Sequence, residues 1–287
     1  MRAIIEQSYV IEHFTTPRRW RQAAARLSGP GLTVADERPG DMMGGFAKGL
    51  AVLSCFGQGR ERLTIAAVAR ATGLDRATAR RCLITLERLG YARFEAGSYA
   101  LTARVLSLGH AYLASTPLPE QLQPFLDRLA ARIGESCSAS ILDGTEIVYI
   151  ARSSQRRVMS ISLGVGSRLP AYCASMGRVL LAALPEGEVG PLLARSARDA
   201  LTPKTLTEPD ALCAEIARVG QQGYCIVDEE LEIGLRSLAV PIRNRSGQVV
   251  AALNTGVQTG RASVARLRDE LLPELLAVQH QLASTLA

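Results

Sequence analysis

The stretch Leu63–Leu101, LTIAAVARATGLDRATARRCLITLERLGYARFEAGSYAL, decides the fold of the N-terminal part of the chain. Its first part predicts a short helix over 64–71, and Gly73 lies in the turn that follows. Asp75 can cap a second helix, because its carboxylate can accept hydrogen bonds from the free N–H groups of the first turn. A helix, a tight turn that contains glycine and a capped helix are typical of a helix-turn-helix unit.

The second helix has two different faces. Its buried stripe is formed by apolar residues at helical spacing: Ala79, Cys82, Leu83, Leu86 and Leu89. Its solvent face carries arginines at a spacing that suits a DNA groove: Arg76, Arg80, Arg81 and Arg88. After Gly90, two short segments joined by a turn at Gly97-Ser98 predict a small hairpin, or wing. The alternative is a helical hairpin inside a larger fold, with the arginines as ordinary solvated charges.

Composition limits the class of protein. The 287 residues, 47% of them hydrophobic, are enough for one large or two ordinary domains with packed cores. There is no run of about 18 apolar residues, and the first twenty residues hold arginines and acids where a secretory signal would need an apolar block. We therefore expect a cytoplasmic protein with no membrane partner.

The sequence gives little support for a metal site or for a nucleophilic active site. The six cysteines lie far apart without a C-x-x-C pair, which argues against a zinc site and against a disulfide framework. Only three histidines occur, and the sequence contains no G-x-S-x-G, no H-E-x-x-H and no phosphate-binding G-x-x-x-x-G-K motif. The segment Gly164-Val165-Gly166 lacks the third glycine of a dinucleotide fingerprint, since Leu169 stands there. We expect no metal and no cofactor.

The formal charge of +6 is unevenly distributed along the chain. Residues 1–45 carry +1, residues 46–115 carry +6 and residues 116–287 carry −1. The positive excess therefore belongs to the helix-turn-helix segment. A local cationic surface is what polyanion binding requires, because each neutralised phosphate releases condensed counterions.

The domain organisation follows from breaks in the pattern. Residues 1–45 contain breakers such as Ser28-Gly29-Pro30-Gly31 and predict a poorly ordered extension. A winged helix-turn-helix domain is predicted over 46–101 and a linker helix over 102–116. The prolines of Ser115–Pro119 should end that helix, and a second domain occupies 117–287. The linker helix would pair across a two-fold axis in a dimer or pack within its own chain.

The second domain mixes helices with strands. A helical stripe runs from Leu122 to Ile133, and a hairpin turns at Asp143-Gly144. A loop is predicted over 164–172, followed by a helix that Ser175 caps. Further strands are predicted over 158–163, 224–227, 237–242 and 249–257, with a long helix over 263–286. Antiparallel strands with helices before, between and after them predict an α+β domain.

Two segments of this domain are candidate sites. The loop Pro170–Ser175 delivers free N–H groups at the start of a helix and can receive a carboxylate, although a structural cap without a ligand is equally consistent with these residues. The acidic run Asp228-Glu229-Glu230-Leu231-Glu232 could bind a cation, but such runs are more often solvated loops. Alternatively, Asp228 lines a pocket while its neighbours face water.

The order of these parts resembles the IclR family of transcriptional regulators from about Gly45 to Ala287. The resemblance is carried by LPAYCASMGRVLLA at 169–182 and by GYCIVDEELEIGLRSLAVPI at 223–242. The segment Tyr172–Arg178 further resembles the subgroup that governs aromatic-acid catabolism through the β-ketoadipate pathway. That subgroup responds to protocatechuate, 4-hydroxybenzoate or β-ketoadipate.

The resemblance implies a winged helix-turn-helix domain joined by a helix to an α+β ligand-binding domain of GAF/profilin-like fold. It implies contacts to double-stranded operator DNA from Arg76, Thr78, Arg80, Arg81, Arg93, Gly97 and Ser98. It implies an effector site at Val158, Ile161, Leu169, Tyr172, Ser175, Met176, Asp228, Ser237 and Asn254. Family members commonly form dimers that associate into tetramers.

The sequence thus predicts a DNA-binding regulator whose operator binding or activation is controlled by a small organic acid. One competing class is an enzyme in which Asp228 or Cys173 reacts with a small molecule bound by the α+β domain. Another is a winged module that serves as a protein-interaction surface. The missing motifs argue against the enzyme, and the local charge of +6 favours nucleic acid over a protein partner.

Overall fold

The computed structural model describes residues 43–57, 60–155 and 163–286. Val158, Ile161 and nearly all of the extension predicted over 1–45 and of the strand predicted over 158–163 lie outside these ranges. Within them the chain forms a winged helical module, a connecting helix and an α+β domain, as predicted. None of the helices in the described ranges combines the length and the apolar character needed to cross a bilayer.

Three helices of the winged module share one apolar core. They are α1 (Gly44–Ser54), α2 (Ile65–Thr72) and α3 (Arg76–Arg88). The carboxylate of Asp75 accepts a hydrogen bond of 2.8 Å from the Thr78 N–H, and this bond holds the pKa of Asp75 below its usual value. The turn before α3 uses Gly73, whose φ of +69° favours glycine. The predicted cap and turn are confirmed.

The wing is an antiparallel hairpin of β1 (Ala92–Glu95) and β2 (Ser98–Leu101). Its tip is Ala96-Gly97, both with positive φ, one residue earlier than predicted. Leu63 and Tyr99 exchange backbone hydrogen bonds of 2.9 and 2.8 Å, which tie the wing to the segment before α2. Strand β2 of the wing is therefore hydrogen-bonded to the rest of the module.

The connection between the two domains is shorter than the prolines suggested. A 3-10 turn (Ala103–Val105) leads into α4 (Leu106–Ser115), and α5 (Leu118–Ile133) begins only two residues later. Pro119 lies in the first turn of α5, where its missing N–H costs no helical hydrogen bond. The predicted break over 115–119 is therefore confined to residues 116–117.

A six-stranded antiparallel sheet organises the second domain. Its strands are β3 (Ser136–Asp143), β4 (Glu146–Ser153), β5 (Arg168–Pro170), β6 (Cys225–Asp228), β7 (Leu235–Arg243) and β8 (Val249–Gln258). Their order across the sheet is β5-β4-β3-β8-β7-β6. The loop predicted over 164–172 was wrong in part, since it contains the edge strand β5 and a 3-10 turn (Ala171–Cys173).

Helices cover both faces of this sheet. The covering helices are α5, α6 (Ser175–Leu181), α7 (Val189–Arg195), α8 (Pro209–Gln222), α9 (Val264–Arg266) and α10 (Leu272–Thr285), with a π turn (Leu267–Leu271) before α10. One core packs α5 and α10 against side chains such as Leu238 and Val240. The other packs α6 and α8 against residues that point the opposite way, such as Ala239 and Ala252. The predicted α+β architecture is confirmed.

Helix α6 approaches the preceding 3-10 turn so closely that only glycine fits between them. A Cβ added to Gly177 would lie 2.1 Å from the carbonyl oxygen of Ala171 and 2.4 Å from its Cα. Backbone atoms cannot rotate away as a flexible side chain can. Gly177 therefore fixes the distance between the loop 171–173 and the helix that follows it.

We expect Gly177→Ala to lower the free energy of unfolding of this domain by about 1–3 kcal/mol, because the added methyl group must displace backbone. Gly220→Ala is the matched control, since Gly220 lies inside α8 and an added Cβ would meet its nearest neighbours at an ordinary 3.7 Å. The control should be neutral or stabilising by up to about 1 kcal/mol. Urea denaturation followed by circular dichroism measures both variants, and equal effects would contradict the packing described for Gly177.

Candidate functional site

Helix α3 presents a cationic surface to solvent. Arg76, Arg80 and Arg81 are exposed, and Arg76 and Arg80 stand one helical turn apart without an ion pair in the described part of the chain. Thr78 differs from them, because its side chain is buried and its hydroxyl accepts a hydrogen bond of 3.2 Å from Arg81. The structure therefore places the three arginines on the surface and turns Thr78 toward the core.

The wing adds a further charged group beside this surface. Arg93 is exposed and lies 3.4 Å from Glu95, which also accepts a 2.6 Å hydrogen bond from Arg62. The bond from Arg62 and the charge of Arg93 lower the pKa of Glu95, so the cluster holds two cations and one carboxylate. Gly97 lies at the tip, and the Ser98 hydroxyl donates to the Glu95 carbonyl at 3.1 Å. The hairpin itself is neutral, and Arg62 makes the cluster of Arg62, Arg93 and Glu95 net positive.

A cavity lies in the second domain between the sheet and the start of α6. It encloses about 480 Å³ of space between protein atoms, part of it open to solvent. Five of the nine residues predicted for an effector site line this cavity: Leu169, Ser175, Met176, Ser237 and Asn254. The remaining wall is formed by Ser136, Ser138, Ile147, Tyr149, Arg152, Leu163, Ala174, Leu231, Leu235 and Gly256.

Strand register gives this cavity a polar floor. Ser138 pairs with Arg152 on one side and with Asn254 on the other, so these three residues form a row across β4, β3 and β8. In the next row on the same face, Gly256 lies opposite both Ser136 and Ser237. Leucines 163, 169 and 231 and Met176 supply apolar walls. The cavity therefore offers hydrogen-bonding groups on its floor and apolar surface elsewhere.

Arg152 is the charged member of the floor, and sequence reasoning missed it. Its Nη1 donates to the Ser138 hydroxyl at 2.8 Å and its Nε donates to the Ser154 hydroxyl at 3.0 Å. Among the described residues no carboxylate forms an ion pair with it. In the sequence, Arg152 directly follows the apolar stretch IVYIA at 147–151, and this position could have marked it as a candidate binding residue.

Several other polar groups on the cavity wall have hydrogen-bonding capacity to spare. The Ser175 hydroxyl is buried and has no partner within the described ranges. The prediction that it caps α6 was wrong, because Ala174 occupies the cap position and no side chain caps the helix. Burial raises the pKa of Tyr149 to about 12, so its phenol stays protonated and can donate a hydrogen bond. These groups can orient polar substituents of a bound molecule.

Two of the predicted effector residues lie away from the cavity. The Tyr172 hydroxyl donates to the backbone carbonyl of Asp199 at 2.6 Å. Asp228 pairs with Arg236 at 2.5 Å and with Lys204 at 3.1 Å. Both side chains are therefore engaged elsewhere in the domain, and neither forms part of the cavity wall.

The acidic run 228–232 is not the solvated loop that the sequence favoured. Glu230 forms two hydrogen bonds of 2.6 Å to the buried guanidinium of Arg178 and accepts another of 2.9 Å from the Leu206 N–H. Glu229 pairs with Lys204 at 2.5 Å. The carboxylates bind side chains of the same domain, because the neighbouring segments bring cations to them.

The described residues contain no cluster of His, Cys, Asp and Glu that could hold a metal ion. Cys173, the candidate nucleophile of the enzyme hypothesis, is completely buried. Burial raises the pKa of its thiol to about 12, so the reactive thiolate is disfavoured at neutral pH. The geometry therefore gives Cys173 no means of attacking a ligand in the cavity.

Comparison with known families and proteins agrees with this arrangement. Residues 46–96 match the IclR helix-turn-helix domain, and residues 110–284 match the bacterial transcriptional regulator IclR C-terminal domain. The Pca regulon regulatory protein of Pseudomonas putida is 47% identical over 86% of this chain and 85% of its own. The p-hydroxybenzoate hydroxylase transcriptional activator of Acinetobacter baylyi is 38% identical, over 85% of this chain and 92% of its own.

A solved structure adds a ligand to the comparison. The crystal structure of an IclR homologue from Microbacterium hydrocarbonoxydans, complexed with 4-hydroxybenzoate, superposes with a TM-score of 0.68 at 26% sequence identity. The match covers 84% of this chain and 99% of that one. Both domains of this chain therefore have counterparts in proteins of one family.

Proposed function

Because this chain belongs to the IclR family of transcriptional regulators, we propose that a small aromatic acid, bound in the cavity, controls its binding to operator DNA. The observation that carries the proposal is the cavity itself, which combines a polar floor that holds one arginine with apolar walls. A carboxylate and an aromatic ring need these two kinds of surface. As a DNA-binding regulator the protein would act in the cytoplasm.

For DNA contact, helix α3 would enter the major groove. Arg76, Arg80 and Arg81 are exposed there, and Arg93 of the wing would reach the backbone. The tip residues Gly97 and Ser98 would lie close to phosphate. We give Thr78 no direct contact, because the residue is buried.

The choice of an aromatic acid rests on the relatives. The Acinetobacter protein is named for p-hydroxybenzoate hydroxylase, and the Microbacterium homologue was crystallised with 4-hydroxybenzoate. Leu169, Met176 and Leu231 would contact the ring, and Ser175, Ser237 and Asn254 would bind its polar substituents. We therefore propose that the effector comes from aromatic-acid catabolism.

Helix α4 is the surface through which we propose that two chains pair. Leu106, Leu108 and Tyr112 are 75%, 48% and 45% exposed, which is unusual for neighbouring apolar residues on one short helix. A second copy would cover them and would place two α3 helices on two half-sites of an operator. Pairs of such dimers would give the tetramer that the family resemblance implies.

A hydrogen bond offers a route from the cavity to this helix. Gln123 on α5 donates from its Nε2 to the backbone carbonyl of Arg152 at 3.1 Å, and α5 follows α4 after two residues. An effector shifts the equilibrium only if it binds two arrangements of the dimer with unequal affinity. We propose that β4, α5 and α4 differ between those arrangements.

We expect Arg80→Ala to weaken operator binding by about 1–3 kcal/mol, because the substitution removes a charged contact in the groove. Arg195→Ala removes an exposed arginine at the end of α7 in the other domain and serves as the control. Fluorescence anisotropy over a range of salt concentrations measures both affinities and their salt slopes. Equal affinities for the two variants would overturn the assignment of α3 as the recognition helix.

The aromatic acids 4-hydroxybenzoate and protocatechuate should raise the melting temperature, because a ligand that binds only the folded state stabilises it by mass action. At a concentration of about 100 times the Kd, we expect a rise of roughly 5–11 °C. Glyoxylate and pyruvate are the comparison ligands. If only glyoxylate or pyruvate stabilises the protein, the aromatic-acid proposal is refuted, whereas the assignment to the IclR family stands.

A further inference from the structure

We propose that the Arg152 guanidinium binds the carboxylate of the effector. This inference rests on the function proposed above and assigns one residue of this chain to the charged end of the ligand. Among the described residues of this domain, four other arginines are partly or fully buried: Arg168, Arg178, Arg198 and Arg236.

Arg168, Arg178 and Arg236 each lie against a carboxylate. Arg168 pairs with Glu146 at 2.8 Å, Arg178 with Glu230 at 2.6 Å and Arg236 with Asp228 at 2.5 Å. Burial separates a cation from water, and a carboxylate partner offsets that loss. Arg198, which is also partly buried, donates instead to the backbone carbonyls of Leu193, Ser196 and Thr207. Each of these four guanidinium groups is therefore satisfied by a carboxylate or by several carbonyl oxygens.

The side chain of Arg152 has neither a carboxylate nor a carbonyl oxygen as a partner among the described residues. It is partly buried, and its partners in the described part of the chain are the neutral hydroxyls of Ser138 and Ser154. Its Nη2 nitrogen makes no hydrogen bond to any described residue. A guanidinium has five N–H donors, so the group keeps capacity for the two oxygens of a carboxylate. Because Arg152 has no carboxylate partner among the described residues, we infer that its anion comes from a ligand.

The surroundings leave the positive charge of Arg152 uncancelled. The described wall of the cavity contains no Asp or Glu, and its other polar members are serines, Asn254 and Tyr149. Tyr149 stays neutral at physiological pH, because burial raises its pKa to about 12. The hydroxyls of Ser138 and Ser154 also fix the orientation of the guanidinium before a ligand arrives. An anion entering the cavity therefore meets a cation that is already oriented.

Calorimetry with two probes of nearly equal size tests this assignment. The probes are 4-hydroxybenzoate and its neutral analogue 4-hydroxybenzamide, titrated into the full chain. We expect Arg152→Gln to weaken binding of the acid by about 10- to 100-fold, the range for a lost charge-assisted hydrogen bond, and to change binding of the amide less than threefold. Arg152→Lys should retain part of the preference for the acid, since it keeps the charge.

The control variant is Arg268→Gln, which removes an exposed arginine from the π turn, outside the cavity wall. The melting temperature of each variant without ligand reports whether it has folded. If Arg152→Gln binds the acid as well as the unaltered protein does, the assignment is refuted. Equal weakening of acid and amide in a folded variant also refutes it, because it indicates a role in shaping the cavity only.

Failure of the proposed function gives a different result. If the unaltered chain binds none of the aromatic acids, both the effector proposal and the role of Arg152 fall together. If the unaltered chain binds 4-hydroxybenzoate and Arg152→Gln matches it, only the role of Arg152 falls. The first titration therefore separates the two cases before any variant is made.

Discussion

The ligand-binding domain depends on the ion pair between Arg178 and Glu230. Arg178 is 1% exposed, and its guanidinium makes two hydrogen bonds to Glu230 and a third, of 2.8 Å, to the carbonyl of Tyr172. Glu230 in turn accepts from the Leu206 N–H. This buried contact joins helix α6 and the 3-10 turn before it to the loop before α8, which holds Leu206, and to the segment after β6, which holds Glu230. A charge pair withdrawn from water in this way is stable only when its hydrogen bonds are satisfied, as they are here.

The ion pair between Arg178 and Glu230 also positions two walls of the cavity. Ser175 and Met176 stand two or three residues before Arg178, and Leu231 follows Glu230, so the pair positions two of the cavity walls at once. Gly177 sets the distance of the same helix from Ala171. The floor has a separate origin, since strand register alone brings Arg152, Ser138 and Asn254 into one row. A rigid frame around a polar floor is suited to recognising a small molecule rather than transforming it.

Features that depend on neighbours in sequence were predictable. Asp75 as a cap, Gly73 in the turn, the wing and the Asp143-Gly144 hairpin each follow from residues within a few positions. The cavity required contacts between distant segments. The sequence does not show that Asp228 pairs with Arg236 and Lys204. Nor does it show that Arg152, within the described ranges, has hydroxyls but no carboxylate as partners. Local sequence patterns predict helices, strands and turns. A site formed by sheet register and buried ion pairs can be recognised only in the folded chain.

We propose that an aromatic acid in this cavity controls transcription by the winged module. In vitro transcription from a promoter fragment that the protein binds tests it most directly, because it registers activation and repression alike. Adding 4-hydroxybenzoate should change transcript yield at least fivefold, with half of the effect near the Kd measured by calorimetry. An unchanged yield at acid concentrations that saturate the protein would show that the acid does not control transcription.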